Sequence, residues 1–280
     1  MKRTILFASV LFFLIISFGC SSDKKNKDDE LMKKIAKLSI QYEKIYSYDN
    51  FIGELPDEDS KFLLILKKYD NGGRVVTEEI FDRNELEDFV ISYKYDDKNN
   101  VIEEIYYDEF NNLLGSVKNE YKNGLIIKTI SYLDSGESWY AIDYKHNKDG
   151  NIIEENHYYG DSFAGKVLYD YNEFGEEMEF KQYDEDGNIE KRYEMTERTN
   201  DKKVYHWFNY DDDLERINIK IFNDDNILIE EEDINYGDHE SLSFITKNIY
   251  KYDINGLLAE VITYNNDEPI SCEKTVWEKF

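Results

Sequence analysis

The 280-residue chain is short of positive charge, of histidine and of cysteine, and each shortage excludes a class of function. Asp and Glu number 61 against 34 Lys and Arg, a formal net charge of −27. Nucleic acid is excluded as a partner, because neutralising phosphates needs a basic surface that this composition does not supply. The four histidines, His146, His157, His206 and His239, fall in no HxxxH or HExxH spacing that would aim two imidazoles at one zinc ion. There is no GxSxG elbow, no glycine-rich phosphate loop and no Cys-His pairing with local support. The sequence therefore gives no positive evidence for an enzyme, a metal or a cofactor. What it has in excess is tyrosine: 24 Tyr, with 16 Phe and 3 Trp, argue for a folded chain despite the charge.

Cysteine is limited to Cys20 and Cys272. The segment before Cys20 has basic Lys2 and Arg3, an apolar run from Ile5 to Ile16, then Ser17-Phe18-Gly19-Cys20. That run is shorter than the roughly 20 apolar residues of a spanning helix. It resembles a bacterial lipoprotein signal, which implies cleavage before Cys20 and acylation of that cysteine as the membrane anchor. With Cys20 given to lipid, Cys272 is the one remaining thiol and no intramolecular disulfide is expected. Residues 1–19 are thus expected to be a signal peptide, and 20–30 a polar tether on the bacterial cell envelope, at the outer membrane or cell surface. Leu31, Ile35, Leu38, Tyr42 and Ile45 recur at helical spacing, so a short amphipathic helix is expected near 28–46, within a 31–60 helix and connector.

From about residue 61 the chain is periodic. Aromatic anchors before turns fall at Tyr69, Tyr95, Tyr121, His146 and Tyr171, in steps of about 26 residues, and an interleaved series runs through Phe81, Tyr107, Tyr132, Tyr159 and Tyr183. Between turns the residues alternate: Phe89, Ile91, Tyr93 and Tyr95 share one face, and Asp88, Val90, Ser92 and Lys94 the other. Period two means strand. The spacing predicts an all-β domain over 61–280, an antiparallel meander of about eight repeats in a curled or spiralling sheet, because open twisted sheets seldom exceed about 10 strands.

The turns read as Asp or Asn followed three residues later by Gly, as in Tyr183-Asp184-Glu185-Asp186-Gly187 and Tyr252-Asp253-Ile254-Asn255-Gly256. Asp or Asn opens a type I turn and Gly supplies the positive φ. Gly73, Gly150, Gly175, Gly187 and Gly256 are the expected turn glycines. Asp184, Asp186 and Asn188 also suggest calcium ligands, but an EF-hand frame puts Gln182 and Tyr193 at its two ends, where ligands belong. Turn formation is the sufficient reading.

The recurring motif, seen as Tyr93-Lys94-Tyr95-Asp96 and as Tyr250-Lys251-Tyr252-Asp253-Ile254-Asn255-Gly256, resembles the RHS or YD repeat. The resemblance implies a spiralling β shell. It does not extend to toxin release: there is no Asp-Pro release motif, only Gly73-Arg74 keeps the glycine-arginine of those repeats, and Pro56 and Pro269 are the only prolines. The expected function is a lipid-anchored, non-enzymatic binding or structural module for a protein or glycan, with Tyr93, Tyr95, Tyr140, Tyr144, Tyr250 and Tyr252 as the candidate binding surface. The RHS likeness also admits an immunity or chaperone-like partner of a secreted toxin. An envelope enzyme is the third class.

Overall fold

The computed structural model describes residues 22–53, 55–237 and 242–279, so Cys20 and the signal-like segment lie outside the described residues. Helix α1 (Ser22–Leu38) precedes β1 (Ile40–Tyr48), a short hairpin of β2 (Phe51–Ile52) and β3 (Leu55–Pro56), and a 3-10 turn at Glu58–Ser60. Then follow β4 (Lys61–Tyr69), β5 (Val75–Phe81), β6 (Glu87–Tyr95), β7 (Val101–Asp108), β8 (Leu113–Lys122) and β9 (Leu125–Leu133). The series continues through β10 (Ser138–His146), β11 (Ile152–Tyr159), β12 (Ser162–Tyr171), β13 (Glu177–Tyr183), β14 (Ile189–Arg198) and β15 (Lys202–Phe208). It ends with β16 (Leu214–Phe222), β17 (Leu228–Tyr236), β18 (Leu242–Tyr252), β19 (Leu258–Asn265) and β20 (Glu268–Lys279).

Turn chemistry sets this rhythm. At Asp253 the Gly256 amide donates to the backbone carbonyl, while Oδ1 accepts from the amides of Asn255 and Leu257, each at 2.8 Å. Asp184 repeats the arrangement: Oδ1 accepts from the amides of Asp186 and Asn188, and Oδ2 from the Asn188 side chain. That carboxylate is committed to its own loop. The five expected turn glycines all have positive φ, from 68° at Gly256 to 88° at Gly150. Where glycine is lacking, Asn99, Asn111, Asn226, Asp212 and Glu85 take the same left-handed conformation, which Asn and Asp tolerate best.

The anchor tyrosines have a structural task. The Tyr95 hydroxyl donates to the Val75 carbonyl at 2.7 Å, Tyr121 to Val101 at 3.1 Å, Tyr171 to Ile152 at 2.8 Å and Tyr252 to Leu228 at 2.8 Å. In each case the end of one strand is tied to the first residue of the strand before it. Trp277 substitutes its indole N–H, donated to Leu258 at 3.3 Å. The ties fall on anchors of one of the two interleaved aromatic series.

The expected spiralling, open sheet is corrected by the pairing. Strands β4 to β20 form consecutive antiparallel pairs, and β1 pairs with both β4 and β20, closing an 18-stranded barrel. Residues 40–48, the end of the expected 28–46 helix, are the closing strand instead. Leu38, Tyr42 and Ile45 fit helical spacing, but Tyr42, Lys44, Tyr46 and Tyr48 alternate with Glu43, Ile45 and Ser47, and two open sheet edges decide in favour of the strand. The helix also starts at Ser22, within the expected tether.

The two faces differ in chemistry. Inward residues such as Ile91, Tyr106 and Val117 form a buried cluster with Phe89 and Tyr93 around it. Outward, Glu103 lies 2.6 Å from Lys94 and 3.6 Å from Lys118, Lys145 lies 2.6 Å from Glu154, and Lys247 2.9 Å from Glu230. Half-buried isoleucines such as Ile105 and Ile219 stand between these pairs. One outer patch is covered: Tyr48, Ile262 and Cys272 pack beneath Phe51 of the short hairpin, and burial raises the Cys272 thiol to about 11.

Candidate functional site: an aromatic chamber under the helix

An 18-stranded barrel is wide enough to leave a lumen. Part of it is filled by stacked rings: Phe180 and Tyr193 lie 5.3 Å apart and nearly parallel, Tyr193 and Trp207 are 4.4 Å apart, and the Arg216 guanidinium lies 4.3 Å from the Trp207 ring centre. Elsewhere a cavity of about 640 Å³ is left between β1, β4 to β10, β19, β20 and the helix. Six tyrosines, Tyr69, Tyr93, Tyr95, Tyr106, Tyr121 and Tyr144, stand in its wall among aliphatic residues such as Val75, Val117 and Ile126.

Helix α1 covers one mouth of the barrel. Ile35, 1% exposed, packs against Ile40, Tyr69 and Leu257, with Leu38, Val75 and Trp277 around them. The fit depends on the turn after β4. A Cβ built on Gly73 would lie 2.1 Å from the Met32 carbonyl oxygen, so the helix rests on backbone that no side chain leaves room for. Lys34 adds a hydrogen bond to the Gly256 carbonyl at 3.2 Å.

Three tyrosine hydroxyls of the wall are each coupled to a carboxylate. Tyr69 donates its hydroxyl to Glu43, Tyr93 to Glu78 at 3.3 Å and Tyr106 to Glu104 at 2.7 Å. Burial, followed by the neighbouring carboxylates, holds all three phenols well above the ordinary tyrosine value, so they stay protonated donors. Burial raises the Glu104 carboxyl as well; the Tyr106 hydroxyl opposes that rise and Glu78 adds to it. Lys67 is the lysine of this wall, 3.7 Å from Glu43. Among the described residues no group of three His, Cys, Asp or Glu side chains could hold a metal ion. The wall offers ring faces, hydroxyl donors and carboxylates, a set suited to recognition.

The six tyrosines expected to form a surface face inward and do not share one site. Tyr93, Tyr95 and Tyr144 line the chamber. Tyr140 packs with Trp139 and Tyr159 and bonds to His157. Tyr250 donates to Glu231 at 3.1 Å, and Tyr252 is one of the strand ties. Sequence reasoning missed Glu43, Lys67 and Glu104. Glu43 fell on a segment read as helix, and Glu104 was one glutamate among many, distinguishable only as the inward member of the Glu103-Glu104 pair.

No protein-family model matches the sequence, and no curated protein matches it. Among solved structures, a porin-like protein from Bacteroides uniformis ATCC 8492 aligns with 85% of this chain and 98% of its own at 10% identity, with a TM-score of 0.47. A porin-like protein from Bacteroides vulgatus ATCC 8482 aligns over the same shares at 9% identity and a TM-score of 0.38. A structure of TcdB2-TccC3 without its hypervariable C-terminal region aligns with 81% of this chain at 10% identity and a TM-score of 0.31; this chain spans 14% of its length. With scores this low, none of them supplies a register, a site or an activity for this chain.

Proposed function

We propose that this chain is a lipid-anchored β-barrel of the bacterial envelope that stands in water beside the bilayer and binds a small ligand in the chamber, without catalysing a reaction. The observation that carries the reading is the polarity of the two faces. A barrel that spans a bilayer turns an apolar band outward between aromatic girdles and keeps its lumen polar. Here tyrosines such as Tyr69, Tyr93, Tyr95, Tyr106 and Tyr144 line the lumen, and mid-strand ion pairs such as Lys128 with Asp143 at 3.3 Å and Lys181 with Glu179 at 2.7 Å point outward. Charges in the lipid-facing midplane of such a barrel cost about 2 to 4 kcal/mol each for Lys or Arg. Membrane attachment then falls to the acyl chains expected at Cys20. The chamber volume lies within the roughly 300 to 1,000 Å³ of small-molecule sites.

The test is to express the full chain and its Cys20→Ala variant in a Gram-negative host and follow both through phase separation in detergent. The expected outcome is acylated wild type in the detergent phase and the variant in the aqueous phase, folded. A variant that still resists extraction from membranes, or a wild type with unmodified Cys20 by mass spectrometry, overturns the reading.

A further inference from the structure

The charge and the rings of the chamber together select a ligand class. We infer that the chamber takes a small organic cation, an ammonium or quaternary ammonium group carried on an apolar body; this rests on the chamber being a binding site at all. Two carboxylates, Glu43 and Glu104, line the chamber and a third, Glu78, adjoins it through Tyr93, each accepting one tyrosine hydroxyl. Lys67 faces them and is taken up by Glu43. Glu104 is 8% exposed and is held by the neutral Tyr106 hydroxyl, whereas the ion pairs of this strand, to Lys94 and Lys118, belong to the outward Glu103. A buried carboxylate without a counter-charge is costly to keep ionised. A cation entering the chamber supplies the missing partner in a setting of weak solvent screening.

The other wall groups agree in sign. Tyrosine faces carry the negative side of the ring quadrupole and attract ammonium groups within about 6 Å. His146 is held below its ordinary value by burial and so is neutral at physiological pH. Asp28 and Asp29 of the helix reach the cavity from its covered end. An anionic ligand meets the carboxylates of Asp28, Asp29, Glu43 and Glu104, and only a cation gains by the ionisation of Glu104, whose neutral form burial otherwise favours.

Calorimetric titration of the purified full chain with choline, with its uncharged carbon isostere 3,3-dimethylbutanol, and with benzyltrimethylammonium and benzenesulfonate separates the possibilities. The expected result is at least tenfold tighter binding of choline than of its isostere, tighter binding again of benzyltrimethylammonium, and no heat from the sulfonate. Glu104→Gln, which keeps size and hydrogen bonding, is expected to remove most of the preference for charge, whereas Glu103→Gln on the outer face leaves it intact. Equal affinity for cation and isostere in the wild type overturns the inference without any variant, as does a charge preference that survives in folded Glu104→Gln. Absence of binding by all four probes and by a neutral aromatic dye instead overturns the chamber as a site, so the two failures are told apart.

Discussion

Neighbouring glutamates in this protein live in different solvents. Glu103 and Glu104 share a strand, yet the Lys94 hydrogen bond holds Glu103 below its ordinary value while burial raises Glu104. Glu176 and Glu177 show the same split more strongly. Burial works to raise Glu176, but Arg198, Asn172 and Lys203 outweigh it and bring the carboxyl to about 2. Glu177 is raised to about 7, first by burial, with Glu155 adding to it and Lys220 opposing. The signs are opposite. Because the folded state raises the Glu177 pKa, its contribution is present in full below the unfolded value and is lost as pH rises towards 7 and beyond. Because Glu176 is depressed, its contribution is present above the unfolded value and is lost as pH falls towards 2. Melts of wild type and Glu177→Gln between pH 4.5 and 8 are therefore expected to diverge, the wild type losing up to about 3 kcal/mol relative to the variant as pH rises. Parallel curves sink the assignment.

Many strands are joined by a recurrent device, a tie tyrosine followed by an Asx-headed loop as at Tyr95-Asp96 and Tyr252-Asp253, and the helix docks on the end where those ties lie. Removing a single tie hydroxyl, as in Tyr95→Phe or Tyr252→Phe, is expected to cost about 1 kcal/mol, and the double variant about the sum, since the two belong to well-separated strands. Chemical denaturation measures both; a cost near zero in each shows that the ties only decorate the fold. Helix docking is tested by a glycine pair. Gly73→Ala drives a Cβ into the Met32 carbonyl and also strains a φ of 79°, whereas Gly187→Ala has a similar φ and nothing within 4 Å. Gly187→Ala is expected to cost about 1 kcal/mol through φ alone. Gly73→Ala is expected to cost more and to release the helix to limited proteolysis. Equal protease resistance in the two variants counts against the docked helix.

Closure turns on β1. Its nine residues satisfy both edges that the remaining seventeen strands would leave open, and open edges template aggregation. Ser47→Pro is the sharpest perturbation, since proline removes a ladder donor from a strand bonded on both sides and is tolerated only at edges. The expected outcome is loss of the cooperative melt together with soluble aggregates in size-exclusion chromatography. A monomeric variant with a melt like the wild type would show that the barrel does not depend on this strand.

Strand positions, turns and the tyrosine period were legible from residues 61 to 280 because each rests on chemistry within a few residues: Asp253 bonding the amides of its own loop, Gly187 taking a positive φ, Phe89 to Tyr95 alternating with polar neighbours. Closure was not legible. It joins Tyr48 to Cys272 and Ile45 to both Thr275 and Ile65, and no local pattern distinguishes a strand that meets two distant edges from the tail of a helix. The chamber follows from closure, since Glu43, Glu104 and Tyr69 share a cavity only once β1 stands beside β4 and the helix covers the mouth. Short-range hydrogen bonding determines the strands, and long-range edge satisfaction determines the barrel, its inward tyrosines and the space among them.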